Sequence, residues 1–248
     1  MTRLDFTSQR LFVDAPLNEG ARIELSREQS NYLFNVLRLG EGARLLVFNG
    51  RDGEWRATAH PAKKTAALTV ETRTREQILS PDIDYLFAPL KHARLDYMAQ
   101  KAVEMGARRL RPVLTRRTQA SRINLERLRA NAIEAAEQCG IIAVAEVCAE
   151  EKLERALDLW PKDRLLIFCD EAAEIADPLA ALRQAGAGFE KFAVLIGPEG
   201  GFDDAERARL RDMAPVAPIS LGPRVLRADT AAVAALTLVQ AVLGDLCG

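Results

Sequence analysis

Two short runs, residues 165–169 (LLIFC) and 192–196 (FAVLI), are apolar at every position. A strand with one wet face alternates apolar and polar side chains, so a run without alternation has both faces covered, as in a parallel sheet flanked by helices. Strand and helix patterns alternate around these runs. Residues 85–90 form another apolar stretch. Residues 94–105 carry apolar side chains at helical spacing ahead of Gly106. Residues 110–114 and 216–220 are strand candidates, Asn124 can cap a helix that reaches Cys139 before Gly140, and a last helix is expected over 231–246. Asp203 and Glu206 have the spacing of a capping box. Together these patterns predict an α/β domain.

The first 72 residues read differently. Short strand patterns at 10–13, 45–48, 54–58 and 67–71 are separated by turn signals at Asn18-Glu-Gly20, Asn49-Gly50 and Asp52-Gly53, with one helix over 27–37. Several short strands in so few residues predict a small β-barrel with its own core. The polar stretch 72–77 and Ser80-Pro81-Asp82 mark a linker, giving domains over 1–74 and 75–248. A length of 248 residues accommodates both, and 48% hydrophobic with 28% charged residues excludes a disordered or fibrous chain. The opening residues lack the apolar core of a signal peptide, and the longest apolar stretch, 231–243, is broken by Thr237 and Gln240. A soluble cytoplasmic protein is expected.

The net charge of −1 hides an asymmetry: residues 1–130 hold 23 Lys and Arg against 15 Asp and Glu, whereas 131–248 hold 11 against 20. Residues 91–129 alone hold 11 basic and 3 acidic side chains. A basic segment of this kind points to a nucleic-acid face, with solvated helix faces as the bland alternative. Cys139, Cys148, Cys169 and Cys247 form no C-x-x-C pair and read as small buried hydrophobes in a reducing compartment. With His60 and His92 the sole histidines, a metal site is not expected.

Two loops carry the chemistry. Residues 196–202 (IGPEGGF) lie between a buried strand and a capped helix, where glycines let the backbone turn sharply and approach a ligand at the strand's carboxyl end. The spacing fits neither a Walker loop nor a dinucleotide fingerprint. Residues 221–231 (LGPRVLRADTA) again follow a strand and open a helix, bringing Arg224 and Arg227 beside Asp229. Two matching strand–loop–helix settings imply one shared pocket.

These loops, with Lys91, Asp96, Lys101-Ala-Val-Glu104-Met-Gly106 and Glu134-Ala-Ala-Glu-Gln138 upstream, resemble the bacterial 16S rRNA uridine-N3 methyltransferase family of the SPOUT class. Arg10-Leu-Phe12 and Val36-Leu-Arg38-Leu-Gly40 extend the resemblance to the amino-terminal part. Ile141 and Ala145 stand where many relatives carry Arg and Pro, and Ala228-Asp229 where Thr-Glu is common. The resemblance implies a PUA-like β-barrel before a trefoil-knotted methyltransferase domain that binds S-adenosylmethionine and works as a homodimer on 16S rRNA or the small ribosomal subunit. It assigns the cofactor to Leu195, Ile196, Gly197, Gly200, Leu221, Gly222, Val225, Leu226 and Ala231. RNA phosphates fall to Arg10, Arg38, Lys91, Arg94, Lys101, Arg116 and Arg117.

Uracil N3 bears a proton and sits on the Watson–Crick edge, so the target base must be unpaired or extruded. Arg227 is the candidate to stabilise charge that develops on the uracil carbonyls, and Asp229 or Glu199 the candidate proton acceptor. The competing reading is a non-catalytic RNA-binding or ribosome-assembly factor on the same scaffold. A third, a small-molecule enzyme, leaves the basic segment without a use.

Overall fold

The computed structural model describes residues 7–62, 65–91, 93–119, 123–173 and 177–246; His92 and Cys247 lie outside the described residues. The chain divides into two compact units, residues 1–79 with 136–144 and residues 80–135 with 145–248. Residues 136–144, which the sequence groups with the second part, thus belong with the first.

The first unit holds β1 (Arg10–Phe12), β2 (Arg22–Glu24), α1 (Arg27–Asn31), β3 (Arg44–Phe48), β4 (Glu54–His60) and β5 (Ala67–Arg75). They form a five-stranded mixed sheet in the order β1-β3-β4-β5-β2, with β1 parallel to β3. The helix expected over 27–37 is α-helical only through Asn31. Residues Tyr32–Val36 are π-helical, with the Leu37 N–H donating to the Tyr32 carbonyl, and Arg38 leaves the helix at φ 57°. A capping box of Ser26 and Gln29 starts α1. Leu33, Leu45, Val47, Ala57 and Leu68 are buried in the core of this unit, and Ile141 packs on a second cluster with Phe48 and Ile142.

The second unit holds β6 (Ile83–Phe87), α2 (Ala93–Glu104), β7 (Arg109–Leu114), α3 (Leu125–Cys139, whose last turn counts with the first unit), β8 (Glu146–Val147), β9 (Glu151–Lys152) and α4 (Leu153–Asp158). Then follow β10 (Arg164–Cys169), α5 (Pro178–Gly186), β11 (Lys191–Ile196), α6 (Asp204–Asp212), β12 (Val216–Ile219) and α7 (Ala228–Leu243). The strands run parallel in the order β12-β10-β11-β6-β7-β8, and β9 pairs with β7. The two continuous apolar runs are β10 and β11, side by side, with Leu166, Ile167, Phe168, Val194 and Leu195 fully buried. Alternation along these strands sends Leu166, Phe168, Ala193 and Leu195 into one core with α4 and α6 residues. The other face is covered by α7, which packs on β11, α2 and α5. Burial on both faces is the reason the runs lack polar positions.

Helix α7 begins at Ala228, three residues before the sequence places it, because Arg227 takes the extended N-cap conformation. Among the described residues no helix is long and apolar enough to cross a membrane. Cys139 is exposed, contrary to a buried reading, because it ends α3 on the wet side; Cys148 and Cys169 are partly buried.

Candidate active site

The carboxyl ends of β10, β11 and β12 open onto one cavity of about 420 Å³ in the second unit. Three loops line it. The loops after β11 and β12 supply Ile196, Gly197, Glu199, Leu221, Gly222, Val225, Leu226 and Arg227, and Ala231 closes it from the first turn of α7. Of the residues assigned to the cofactor, Leu195 is fully buried beneath the cavity and Gly200 does not line it. The other seven meet there.

The third loop, Asp170-Glu171 directly after Cys169 at the end of β10, is not part of the sequence assignment, nor are the cavity-lining Phe202 and Arg207. A signal existed: an acidic pair follows a fully apolar strand adjacent to the glycine-loop strand. Burial pushes the Cys169 thiol up to about 12, so it is a neutral part of the wall. Asp170 is buried and accepts from Arg211 Nε at 2.9 Å, with Arg207 at 3.5 Å; Arg207 also donates to Glu171 at 3.1 Å. These arginines fix the loop and leave the Glu171 carboxylate half-exposed at the cavity.

Gly197 has a packing role. A Cβ there would lie 2.6 Å from the Phe202 ring, whereas at Gly200 the nearest atom would be an ordinary 3.7 Å away, on Arg117. Gly201 needs its glycine for φ 67°, and Gly222 for φ 104°.

Arg227 lines the cavity, is exposed and makes no ion pair among the described residues. Glu199 lines the cavity and is paired with Arg94 at the start of α2. Asp229 is set apart from the lining; its carboxylate accepts the Thr230 N–H at 2.8 Å. The Tyr85 hydroxyl is buried without a hydrogen-bond partner among the described residues, its phenol pushed up by burial and by the neighbouring Cys169 and Asp229. Of the two acid candidates, only Glu199 is at the cavity.

The basic residues divide by what holds them. Arg10 is a correction to the phosphate assignment: its side chain is 5% exposed and donates to Glu54 at 3.0 Å within the first unit, so it serves as a buried counter-ion. Arg38, in the same unit, is exposed. In the second unit Lys91 is exposed, and Lys101 pairs with Glu104 at 2.7 Å and lies over the Tyr97 ring. Arg117 donates to the Gly200 carbonyl at 2.8 Å, and Arg116 is held by Asp203 at 2.9 Å and Glu154 at 3.2 Å. Three residues of the basic segment, Arg94, Arg116 and Arg117, therefore reach the loop after β11. Among the described residues no cluster of three His, Cys, Asp or Glu could hold a metal ion.

The family described as RNA methyltransferase domain matches residues 78–240, and the RNA methyltransferase PUA domain matches residues 25–70. A ribosomal RNA small subunit methyltransferase E from Synechocystis is 30% identical, covering 90% of this chain and 74% of its own. The protein of the same name from Rickettsia conorii is 29% identical over 96% of this chain and 97% of its own. Among solved structures, ribosomal RNA small subunit methyltransferase E from Neisseria gonorrhoeae, bound to S-adenosylmethionine, superposes with a TM-score of 0.82 at 25% identity, covering 96% of this chain and 99% of that one.

Proposed function

Because the chain belongs to the ribosomal RNA small subunit methyltransferase E family, we propose that it transfers a methyl group from S-adenosylmethionine to N3 of a uridine in 16S ribosomal RNA. The observation that carries this reading is the cavity itself, whose two glycine-containing loops and α7 bring seven assigned cofactor residues together beside Arg227. Its volume falls in the range of small-molecule sites, and its lining mixes apolar side chains with backbone groups freed by the loops. The residues present fit such a cofactor: Leu221, Val225, Leu226 and Ala231 offer apolar contact, and the open space where Gly222 lacks a Cβ lets a flat ring approach the backbone. When bound, S-adenosylmethionine supplies an activated methyl group.

The chain's own residues then have three tasks. The loops hold an extruded uracil in line with the methyl group, the gain being one of orientation. Arg227 directs its guanidinium at the uracil carbonyls, where negative charge gathers as N3 loses its proton. Glu199 accepts that proton in preference to Asp229, because Glu199 lines the cavity and Asp229 is engaged at the helix start. Phosphate contacts are assigned to Lys91, Arg94, Lys101 and Arg117 in the second unit and to Arg38 in the first.

The same reading carries a trefoil knot in the second unit, as the SPOUT class implies, action in the cytoplasm and a homodimer. The dimer is supported by α7, where Val233, Ala234, Leu238, Val242 and Leu243 remain partly exposed, and by an apolar hollow that Pro178, Leu221, Ala234 and Leu238 line. Light scattering at micromolar concentration should give twice the monomer mass; a monomer would remove the dimer. The function itself is tested by incubating the chain with tritiated S-adenosylmethionine and 16S rRNA. Label recovered as 3-methyluridine is expected; cofactor binding without transfer would favour the small-molecule enzyme, and the absence of both binding and transfer the non-catalytic assembly factor.

A further inference from the structure

The loop after β11 is fastened at two places of different strength. Its far end is firm: Asp203 and Glu206 form the capping box of α6, Arg116 is held by Asp203 and Glu154, and the Arg116 N–H donates to Glu206 at 2.8 Å. Its near end depends on Arg94, paired with Glu199, and on Arg117, bound to the Gly200 carbonyl. Both side chains of the Arg94–Glu199 pair are well exposed, at 41% and 50%. A Cβ at Gly200 would meet only an ordinary contact with Arg117, and Gly201 turns the chain at φ 67° with its N–H donating to the Pro198 carbonyl at 2.8 Å.

We propose that Arg94 and Arg117 serve two ligands in turn, the loop in the free protein and RNA phosphates in the complex, so that RNA docking unlatches Glu199 in the wall of the cofactor cavity. The inference rests on the proposed RNA substrate and adds a means by which that substrate regulates the site. A solvated carboxylate and a single carbonyl are weak holders of a guanidinium. A nucleic-acid phosphate competes well, since its neutralisation also releases condensed counterions. Arg116, with two carboxylates, stays in place and keeps α6 anchored while the near end moves. Glu199 is thereby kept neutralised until substrate arrives, and faces the cavity as a free carboxylate only when a base is bound there. Cofactor and RNA affinities become linked through one loop, and any such linkage is reciprocal.

The test is a double-mutant cycle on binding of protein-free 16S rRNA transcript, read by fluorescence anisotropy at fixed salt. Removing the competing carboxylate with Glu199→Gln should tighten RNA binding about threefold, the scale of an exposed pair. The same substitution in an Arg94→Gln background should change nothing, because the arginine it competes for is gone. Equal tightening in both backgrounds would mean a general charge effect and would overturn the proposal, as would no tightening in the wild-type background. Thermal unfolding confirms that each variant is folded. The tritium transfer assay on the unmodified chain, run on 16S rRNA and on the small ribosomal subunit, keeps the two readings apart: transfer without the cycle effect sinks the latch and leaves the function, whereas no transfer to either substrate sinks the function.

Discussion

A Cβ on Gly197 would press on the Phe202 ring, while one on Gly200 would meet only an ordinary contact with Arg117. Gly197→Ala should therefore cost about 1–3 kcal/mol through overpacking and raise the dissociation constant for S-adenosylmethionine. Gly200→Ala should leave both near wild type. Thermal unfolding and calorimetry on the pair check this; a tolerated Gly197→Ala would show that Phe202 yields freely. Arg227 poses a kinetic question. If its guanidinium stabilises the uracil anion, Arg227→Ala lowers single-turnover methyl transfer by about 10²–10³-fold with both ligands saturating, and Arg227→Lys is impaired almost as much because the planar fork is lost. A wild-type rate under those conditions would leave Arg227 with a binding role alone. Both residues were legible in the sequence because each stands in a loop between a buried strand and a helix. Arg10 was not: the Glu54 that buries it is 44 residues away, and nothing local distinguishes it from a surface arginine.

At the scale of elements, local chemistry decided what could be read. The capping boxes at Ser26 and Asp203 and the apolar runs of β10 and β11 write their structure in adjacent residues. Helix α5 was missed although Asp177 caps it and Pro178 occupies its first turn, a combination that favours a start. Strand β2 has three residues with one buried, too few for a pattern. In the first unit β4 and β5 are tied by Glu54, which accepts from Arg10 on β1 at 3.0 Å and from Arg75 on β5 at 2.6 Å. Burial opposes ionisation of Glu54, but the hydrogen bonds and charges of Arg75, Thr74 and Arg10 outweigh it and hold the carboxyl below its usual 4.5. A lowered folded-state value means that the stabilisation is complete above the unfolded value and is lost as pH falls through the folded one. The melting temperature of the first unit should thus fall as pH drops below about 4.5. Glu54→Gln should destabilise it by about 3 kcal/mol at neutral pH, leaving Arg10 short of its buried carboxylate, and should flatten that acid dependence. An unchanged acid limb in Glu54→Gln would assign the effect to other carboxylates.

At the scale of the whole molecule the basic excess of residues 91–129 is partly spent inside the protein, which the sequence count does not reveal. Arg127 is paired with Asp96, and Arg109 and Arg111 with Asp84, while Arg116 is held by Asp203 and Glu154, which push its pKa further up. A phosphate gains from an arginine only the charge that is not already answered, so the two neighbours Arg116 and Arg117 should differ. Arg117, bound to a neutral carbonyl, keeps its full charge for RNA. Affinity for 16S rRNA should fall as salt rises, and Arg117→Ala should reduce the slope of log affinity against log salt by roughly 1 unit. Arg116→Ala should leave that slope nearly unaltered and weaken cofactor binding instead, because Asp203 and the start of α6 lose their anchor. Anisotropy titrations between about 50 and 200 mM salt, paired with calorimetry for S-adenosylmethionine, separate the two effects. A slope reduced equally by both substitutions would mean that Arg116 leaves its carboxylates to meet a phosphate, and the firm end of the loop would then be as exchangeable as the near one.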